Sequence, residues 1–150
     1  HAMVKEDVAY ATCKEEVENI LADFRNRDIP VAVINEHLQG DLVKFYGVHG
    51  TDFFYWFYPS PCSHSKFGLE KINGIAKGIP FSVEELKIQS DKAAEALNVP
   101  IYGGDCVVSA DGTLRIIDFN DWPSFARCRE EAGGKISECI YNRAKKQMKQ

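Results

Sequence analysis

The feature that most limits what this chain can fold into is an Asp-Gly pair set between two strand-like runs. Residues 101–109 and 114–120 are rich in apolar and β-branched side chains, and Ala110-Asp111-Gly112-Thr113 joins them. Asp-Gly at that place is a strong hairpin signal, because the tight turns that match strand twist need residues tolerant of positive φ. A hairpin commits its strands to antiparallel pairing, and closure at Asp111-Gly112 sets Asp105 opposite Asp118. Asp118 and Asn120 are two apart on one strand, so both side chains point to one face. Two carboxylates and an amide oxygen then converge there. These are hard oxygen ligands, and such a set suits Mg²⁺, which keeps open positions for water and phosphate oxygens. The plainer reading is a solvated strand face, since a D-x-N pair arises often by chance. Against it, every position facing the site is a ligand type. Ile117 and Phe119 alternate with these residues and are predicted to face a core.

The rest of the chain supplies more antiparallel strands and three helices. Residues 14–27 read as an amphipathic helix with Val17, Ile20, Leu21 and Phe24 at helical spacing, and Thr12 with Glu15 makes a capping-box pattern. Pro30 stops that helix, and Val31-Ala32-Val33-Ile34 is predicted as a strand buried on both faces. Residues 42–48 and 53–58 form a second predicted hairpin around His49-Gly50-Thr51-Asp52. Residues 59–81 hold prolines, glycines and small polar residues without period, so a long loop is expected, of a length that is unusual unless functional. Ser82 with Glu85 caps a predicted helix from 83 to 97, whose buried side is read as Val83, Leu86, Ile88, Ala93, Ala94 and Leu97. A last helix is predicted over 127–146. The fold class is α+β, mainly antiparallel sheet with flanking helices.

Composition narrows the function classes. The 150 residues are 45% apolar and 27% charged, an ordinary globular balance that fits one domain. Net charge is −4, and residues 142–150 hold four cations and no acid, which leaves −8 for the remainder. Phosphate-backbone binding needs a basic face, so no nucleic-acid partner is expected. The longest apolar runs, 29–34 and 53–58, are six residues each. That is far short of the roughly 20 a helix needs to span a membrane, so none is expected. Five cysteines without a C-x-x-C pair suggest reduced thiols and a cytoplasmic location. His1-Ala2-Met3 reads as an expression scar and is set aside.

Gly104-Asp105, then Asp118-Phe119-Asn120 and Pro123, resembles the metal-binding end of the ATP-grasp fold. Upstream, the run from Val33 through Asn35-Glu36-His37-Leu38 to Gly40-Asp41 and Lys44 resembles the adenine-linker strand of the same fold. The two motifs stand in the right order about 70 residues apart, and the resemblance covers roughly residues 4–140. It implies ATP and Mg²⁺ (one or two ions, Mn²⁺ also acceptable) as cofactors, with Asp105, Asp118 and Asn120 as metal ligands. The backbone at Asn35, Glu36, His37 and Leu38 would meet adenine, and Asp41, or failing that Glu36, would accept from ribose. Lys44 would be the catalytic cation facing phosphate or an acyl phosphate. It further implies a remnant of the ATP-grasp lid with the adenine linker over 4–40 and a core subdomain over 41–150.

The implied activity is that of a carboxylate–amine or –thiol ligase working through an acyl phosphate. The alternatives are a small-molecule (inositol- or sugar-like) kinase of the same fold, and a non-catalytic nucleotide- or metal-binding module. The expected partners are a small carboxylate or hydroxyl acceptor and a missing N-terminal part of the same polypeptide. The family's lysine-bearing, glycine-rich lid is not found before Lys14, so this chain alone is expected to be inactive, with self-association through exposed surface. Asp118 stands where the family more often has Glu, and Asn35 where an acid or Gln is usual.

Other residues carry weaker signals. The aromatic run 53–58 reads as core packing rather than a ligand platform. His64 in the long loop, beside Lys66, is read as solvated, while His37 and His49 are read as hinge and turn residues. Cys106 is expected to face the core and be inert. Arg127 and Arg129 open the last helix where cations oppose the helix dipole, so Glu130 and Glu131 or a substrate carboxylate must offset them.

Overall fold

In the computed structural model, which describes residues 4–59, 72 and 74–149, the Asp-Gly hairpin forms as the pattern predicts. Strand β3 (Ile101–Val108) pairs antiparallel with β4 (Leu114–Asp121), and Gly112 closes the turn at φ +81°. Asp105 sits opposite Asp118. Directly after that pair the register slips, so that Cys106 faces Ile116 and Ile117 becomes the extra residue of a β-bulge. This corrects the expectation for Ile117, which is 54% exposed. Ile116 takes its place, packing with Phe119 on the core.

The second hairpin is β1 (Asp41–Val48) with β2 (Phe54–Phe57), again antiparallel, with Gly50 at φ +79° in the turn. Antiparallel pairing of β1 with β3 joins the hairpins into one four-stranded sheet, ordered β2-β1-β3-β4. Along β1, residues 41, 43, 45 and 47 are buried and those between them half-buried, the period-2 signature of a sheet covered unequally on its faces. Gly103-Gly104 in β3 is there because side chains would not fit. A Cβ on Gly104 would lie 2.2 Å from the Asp118 carbonyl oxygen, and one on Gly103 would lie 2.8 Å from both Pro123 and Tyr46.

Each face has its own helix. Helix α2 (Val83–Leu97) starts at Ser82, whose Oγ accepts from the Glu85 N–H at 3.1 Å, as the capping pattern predicts. It ends where Asn98 adopts the left-handed conformation of a C-cap. Its buried residues are Leu86, Ser90 and Ala94, a single i, i+4, i+8 stripe; Ile88 and Leu97, expected inside, are exposed. That stripe packs with Val43, Phe45, Tyr102, Cys106 and Val108. The buried Tyr102 hydroxyl donates to Asp91 at 2.8 Å, and Lys87 pairs with the same carboxylate at 2.5 Å. Burial first and the Asp91 carboxylate second push the Tyr102 phenol well up. Helix α3 (Arg129–Gln147) covers part of the other face. Its Ala132 and Cys139 pack with Val48, Phe53, Ile101, Phe125 and Cys128. It begins two residues later than predicted, after a strap that crosses the sheet.

The aromatic run divides between the faces as alternation requires. Phe45 stacks on Phe54 and Trp56 meets Phe81 on the α2 side, whereas Tyr46 meets Tyr55, Phe57 and Phe125 on the other.

The N-terminal portion departs most from expectation. Helix α1 (Lys14–Asn26) forms, but it buries no residue. Its capping contact is also shifted: the Thr12 N–H and hydroxyl both donate to Glu16 rather than Glu15, at 2.6 and 2.8 Å. Those bonds, the backbone one foremost, hold the Glu16 carboxyl below its usual range. Arg27 ties this portion together through Asp7, Asp23 and the Glu6 carbonyl. The predicted strand over 31–34 is not one. Residues 29–39 carry no regular secondary structure, and Val31, Val33 and Ile34 are 75%, 81% and 67% exposed. An apolar run becomes a strand only where a neighbouring strand takes its N–H and C=O groups, and no described strand does.

Candidate active site

The face of the sheet opposite α2 holds four of the predicted residues. In register, Lys44 of β1 faces Asp105 of β3, which faces Asp118 of β4. Directly paired residues share a face, so the three side chains form one row across adjacent strands. The Lys44 ammonium donates to both Asp105 oxygens, at 3.0 and 2.9 Å, with both side chains about a quarter exposed. Asn120 Nδ2 donates to Asp118 Oδ2 at 2.6 Å, and both residues are exposed. Like charges directly opposite on a sheet are unfavourable, and Lys44 offsets the Asp105–Asp118 pair from the other side.

The strap between β4 and α3 borders this row. Trp122 N–H is held by the Ile101 carbonyl at 2.9 Å, Pro123 lies against Gly103, and Phe125 is buried against Tyr46 and Phe53. Trp122 and Phe125 both have left-handed backbones, at φ +43° and +48°. That conformation is a genuine outlier for a bulky side chain. The strap ends with the Arg127 guanidinium 4.3 Å from the centre of the Phe57 ring. Phe57 is the register partner of Lys44, so it lies beside the row. Phe57 did not emerge from sequence reasoning, although a hairpin closing at His49-Gly50-Thr51-Asp52 places it opposite Lys44.

The other predicted residues stand elsewhere. Asp41, three positions from Lys44 on β1, points to the opposite face. It is 3% exposed, and its two oxygens accept from the N–H groups of Lys77 and Ile79 at 2.8 Å each. In this structure it acts as a clamp between β1 and the segment leading to α2. Asn35 and Glu36 are exposed; His37 and Leu38 are half-buried, and the His37 ring meets Tyr10 edge-on at 5.0 Å. Asn35 and His37 line a cleft of about 930 Å³ between the apolar side of α1 and residues 28–37. Cys106, next to Asp105, is fully buried on the α2 side, and burial pushes its thiol up to about 11. His64, Lys66 and Cys62 lie outside the described residues.

Comparisons with protein-family models, with curated proteins and with solved structures return no match. The site therefore has to be read from its own chemistry. Among the described residues, no three His, Cys, Asp or Glu side chains gather into a group that could hold a metal ion. The row offers two carboxylates and an amide instead. That is a fitting donor set for Mg²⁺, which is commonly bound by one or two carboxylates with the remaining positions left to water and substrate phosphates. Among the described residues, no helix is long and apolar enough to cross a membrane.

Proposed function

We propose that the row of Lys44, Asp105, Asp118 and Asn120 binds the phosphates of ATP together with Mg²⁺ and serves phosphoryl transfer to a small carboxylate acceptor, the ligase chemistry of the ATP-grasp resemblance. The observation that carries this reading is the register that sets Lys44, Asp105 and Asp118 side by side on three neighbouring strands of one face. Asp105 and Asp118 would hold Mg²⁺, which would supply charge neutralisation for the phosphates, and Asn120 would fix the Asp118 carboxylate by the hydrogen bond it already makes. Lys44 keeps Asp105 neutralised in the resting protein. With Asp105 engaged by a metal, the Lys44 ammonium would be free to compensate charge on the phosphoryl group in transfer. Phosphoryl transfer asks for positioning and charge neutralisation more than covalent chemistry from the protein, so these groups suffice. A hydroxyl acceptor at the same row would make the protein a kinase.

A second reading, a non-catalytic nucleotide- or metal-binding module, is favoured by one observation. Asp41 spends its carboxylate on Lys77 and Ile79, on the far face from Lys44. Titration of the full chain with Mn²⁺ and with Mn²⁺–ATP, followed by a search for ADP release with mixed acceptors, separates the readings. Saturable Mn²⁺–ATP binding that weakens about tenfold or more in Asp118→Ala and Asp105→Asn is expected of both; ADP release is expected only of the enzyme. Lys44→Met should bind bare Mn²⁺ more tightly, because it removes the competing cation. Wild-type affinity in Asp118→Ala would sink the assignment of the row.

A further inference from the structure

We infer that Arg127, seated on the ring of Phe57, recognises a carboxylate of the acceptor, so that the substrate class is an acidic small molecule; this rests on the phosphoryl-transfer reading of the neighbouring row. The strap that carries Arg127 is pinned by the Trp122 N–H to Ile101, by Pro123 against Gly103 and by the burial of Phe125. It also holds two aromatic residues in the left-handed region, a conformation that persists only where the surroundings over-determine it. The result is an exposed arginine whose guanidinium lies 4.3 Å from the centre of the Phe57 ring.

Stability alone does not account for a cation here. Arg127 comes just before the N-cap of α3, the positive end of the helix dipole, where an acidic residue would be preferred. No carboxylate among the described residues forms an ion pair with it, whereas Arg27, Lys44, Lys87 and Lys135 all have theirs. A guanidinium over a ring uses its π face there and keeps its in-plane N–H fork, which matches a carboxylate in two-point fashion.

Its position selects the ligand. Across the sheet, Asp118 lies on β4, Asp105 on β3, Lys44 on β1 and Phe57 on β2, with the Arg127 guanidinium of the strap over the Phe57 ring. The Phe57 backbone therefore stands three strand spacings from that of Asp118, about 14 Å, and Arg127 sits at this β2 end of the row. Metal and phosphates belong at the β4–β3–β1 end, and the far end is left for the acceptor. Once Asp105 and Asp118 hold a divalent cation, three strand and strap cations share this face: Arg115, opposite Val107, is turned to the Ser109 hydroxyl at the hairpin end, which leaves Lys44 and Arg127 beside the row. Lys44 faces the phosphoryl group; Arg127 faces an anion on the acceptor.

The test uses glutarate as the carboxylate probe and inorganic phosphate as its competitor, on the full chain with and without Mn²⁺–ATP. Glutarate is expected to bind saturably, to shift the Arg127 Nε–H resonance, and to bind at least tenfold more weakly to Arg127→Met. Arg127→Lys should recover part of that affinity and Phe57→Leu should lose part of it, while Mn²⁺–ATP affinity in Arg127→Met stays within twofold of wild type. The inference is overturned if Arg127→Met binds glutarate as wild type does, if no saturable glutarate binding is seen, or if phosphate displaces glutarate with equal affinity. Loss of Mn²⁺–ATP binding by the wild type, with glutarate still dependent on Arg127, would overturn the nucleotide reading and leave the carboxylate site standing.

Discussion

The two longest apolar runs in the chain, 29–34 and 53–58, are equal in length and meet opposite fates. Four residues of the second run form β2, beside β1, and its aromatic rings pack on both faces of the sheet. Val31, Val33 and Ile34 of the first are largely exposed, beside a helix that buries nothing. The difference is not hydrophobicity. Residues 53–58 have a strand partner five residues upstream across a turn, and 29–34 have none among the described residues. Apolar character says that a segment gains by burial, and only topology says whether burial is at hand. The molecule thus divides into a cooperative sheet with α2 and α3, and an N-terminal portion tied together by Arg27.

If that division holds, substitutions in the sheet should unfold the protein and those in the N-terminal portion should not. The largest effect is expected at Gly104. An alanine Cβ there would meet the Asp118 carbonyl at 2.2 Å and the Phe45 ring at 2.7 Å. One of these is backbone of the β3–β4 hairpin, so β3 and β4 must part. Gly104→Ala should cost about 3 kcal/mol, read as a drop in the denaturant midpoint. An unchanged midpoint would mean that the β3–β4 register is wrong, and with it the Asp105–Asp118 pair.

Next in size is a pH effect confined to the sheet. Burial raises the Cys106 thiol to about 11 from its ordinary 9.0. The folded value lies above the unfolded one, so the folded state holds the proton longer. The associated stability is fully present below pH 9 and is lost as pH climbs towards 11, a difference of about 3 kcal/mol. Urea titrations at pH 8 and pH 11 should show the loss, and Cys106→Ala should show a shallower one. Cys13, exposed before α1, provides the contrast. Iodoacetamide should label it at the rate of a free thiol at pH 8, while Cys106 waits for unfolding. Equal labelling rates would dissolve the division between the regions.

How much of this was legible beforehand follows the same boundary. Wherever the pattern was local and ended in a tight turn, it held. Asp111-Gly112 and Gly50 set both hairpins, Ser82 with Glu85 set the start of α2, and the Asp105–Asp118 pairing followed from turn geometry. Apart from the Thr12 contact, which moved locally from Glu15 to Glu16, what failed depended on partners that local pattern does not carry. The bulge after Asp105 moved Ile117 to solvent by one residue of slip. The burial of Asp41 depended on Lys77 and Ile79, 36 and 38 positions away. Phe57 and Arg127 were brought together by a strap whose aromatic residues adopt backbone angles that no propensity scale favours. The candidate row was thus readable from one hairpin, and its border was not.

The smaller effects probe the boundary more finely. Ser82→Ala removes the α2 cap and should cost about 1 kcal/mol of global stability, because α2 packs on the sheet. Glu16→Ala removes the matching contact in α1; it should speed amide exchange within α1 and leave the global midpoint unmoved. The least effect of all is expected from Val33→Ser. Val33 is 81% exposed, so the folded monomer loses little when it changes, within about 0.5 kcal/mol. Self-association, by contrast, should fall, since an extended apolar run with unpaired backbone is a template for another chain. Sedimentation across a concentration series, set beside the denaturant midpoint, measures both. A midpoint that drops by 2 kcal/mol or more would show that residues 31–34 are buried after all, and the contrast between the two apolar runs would collapse.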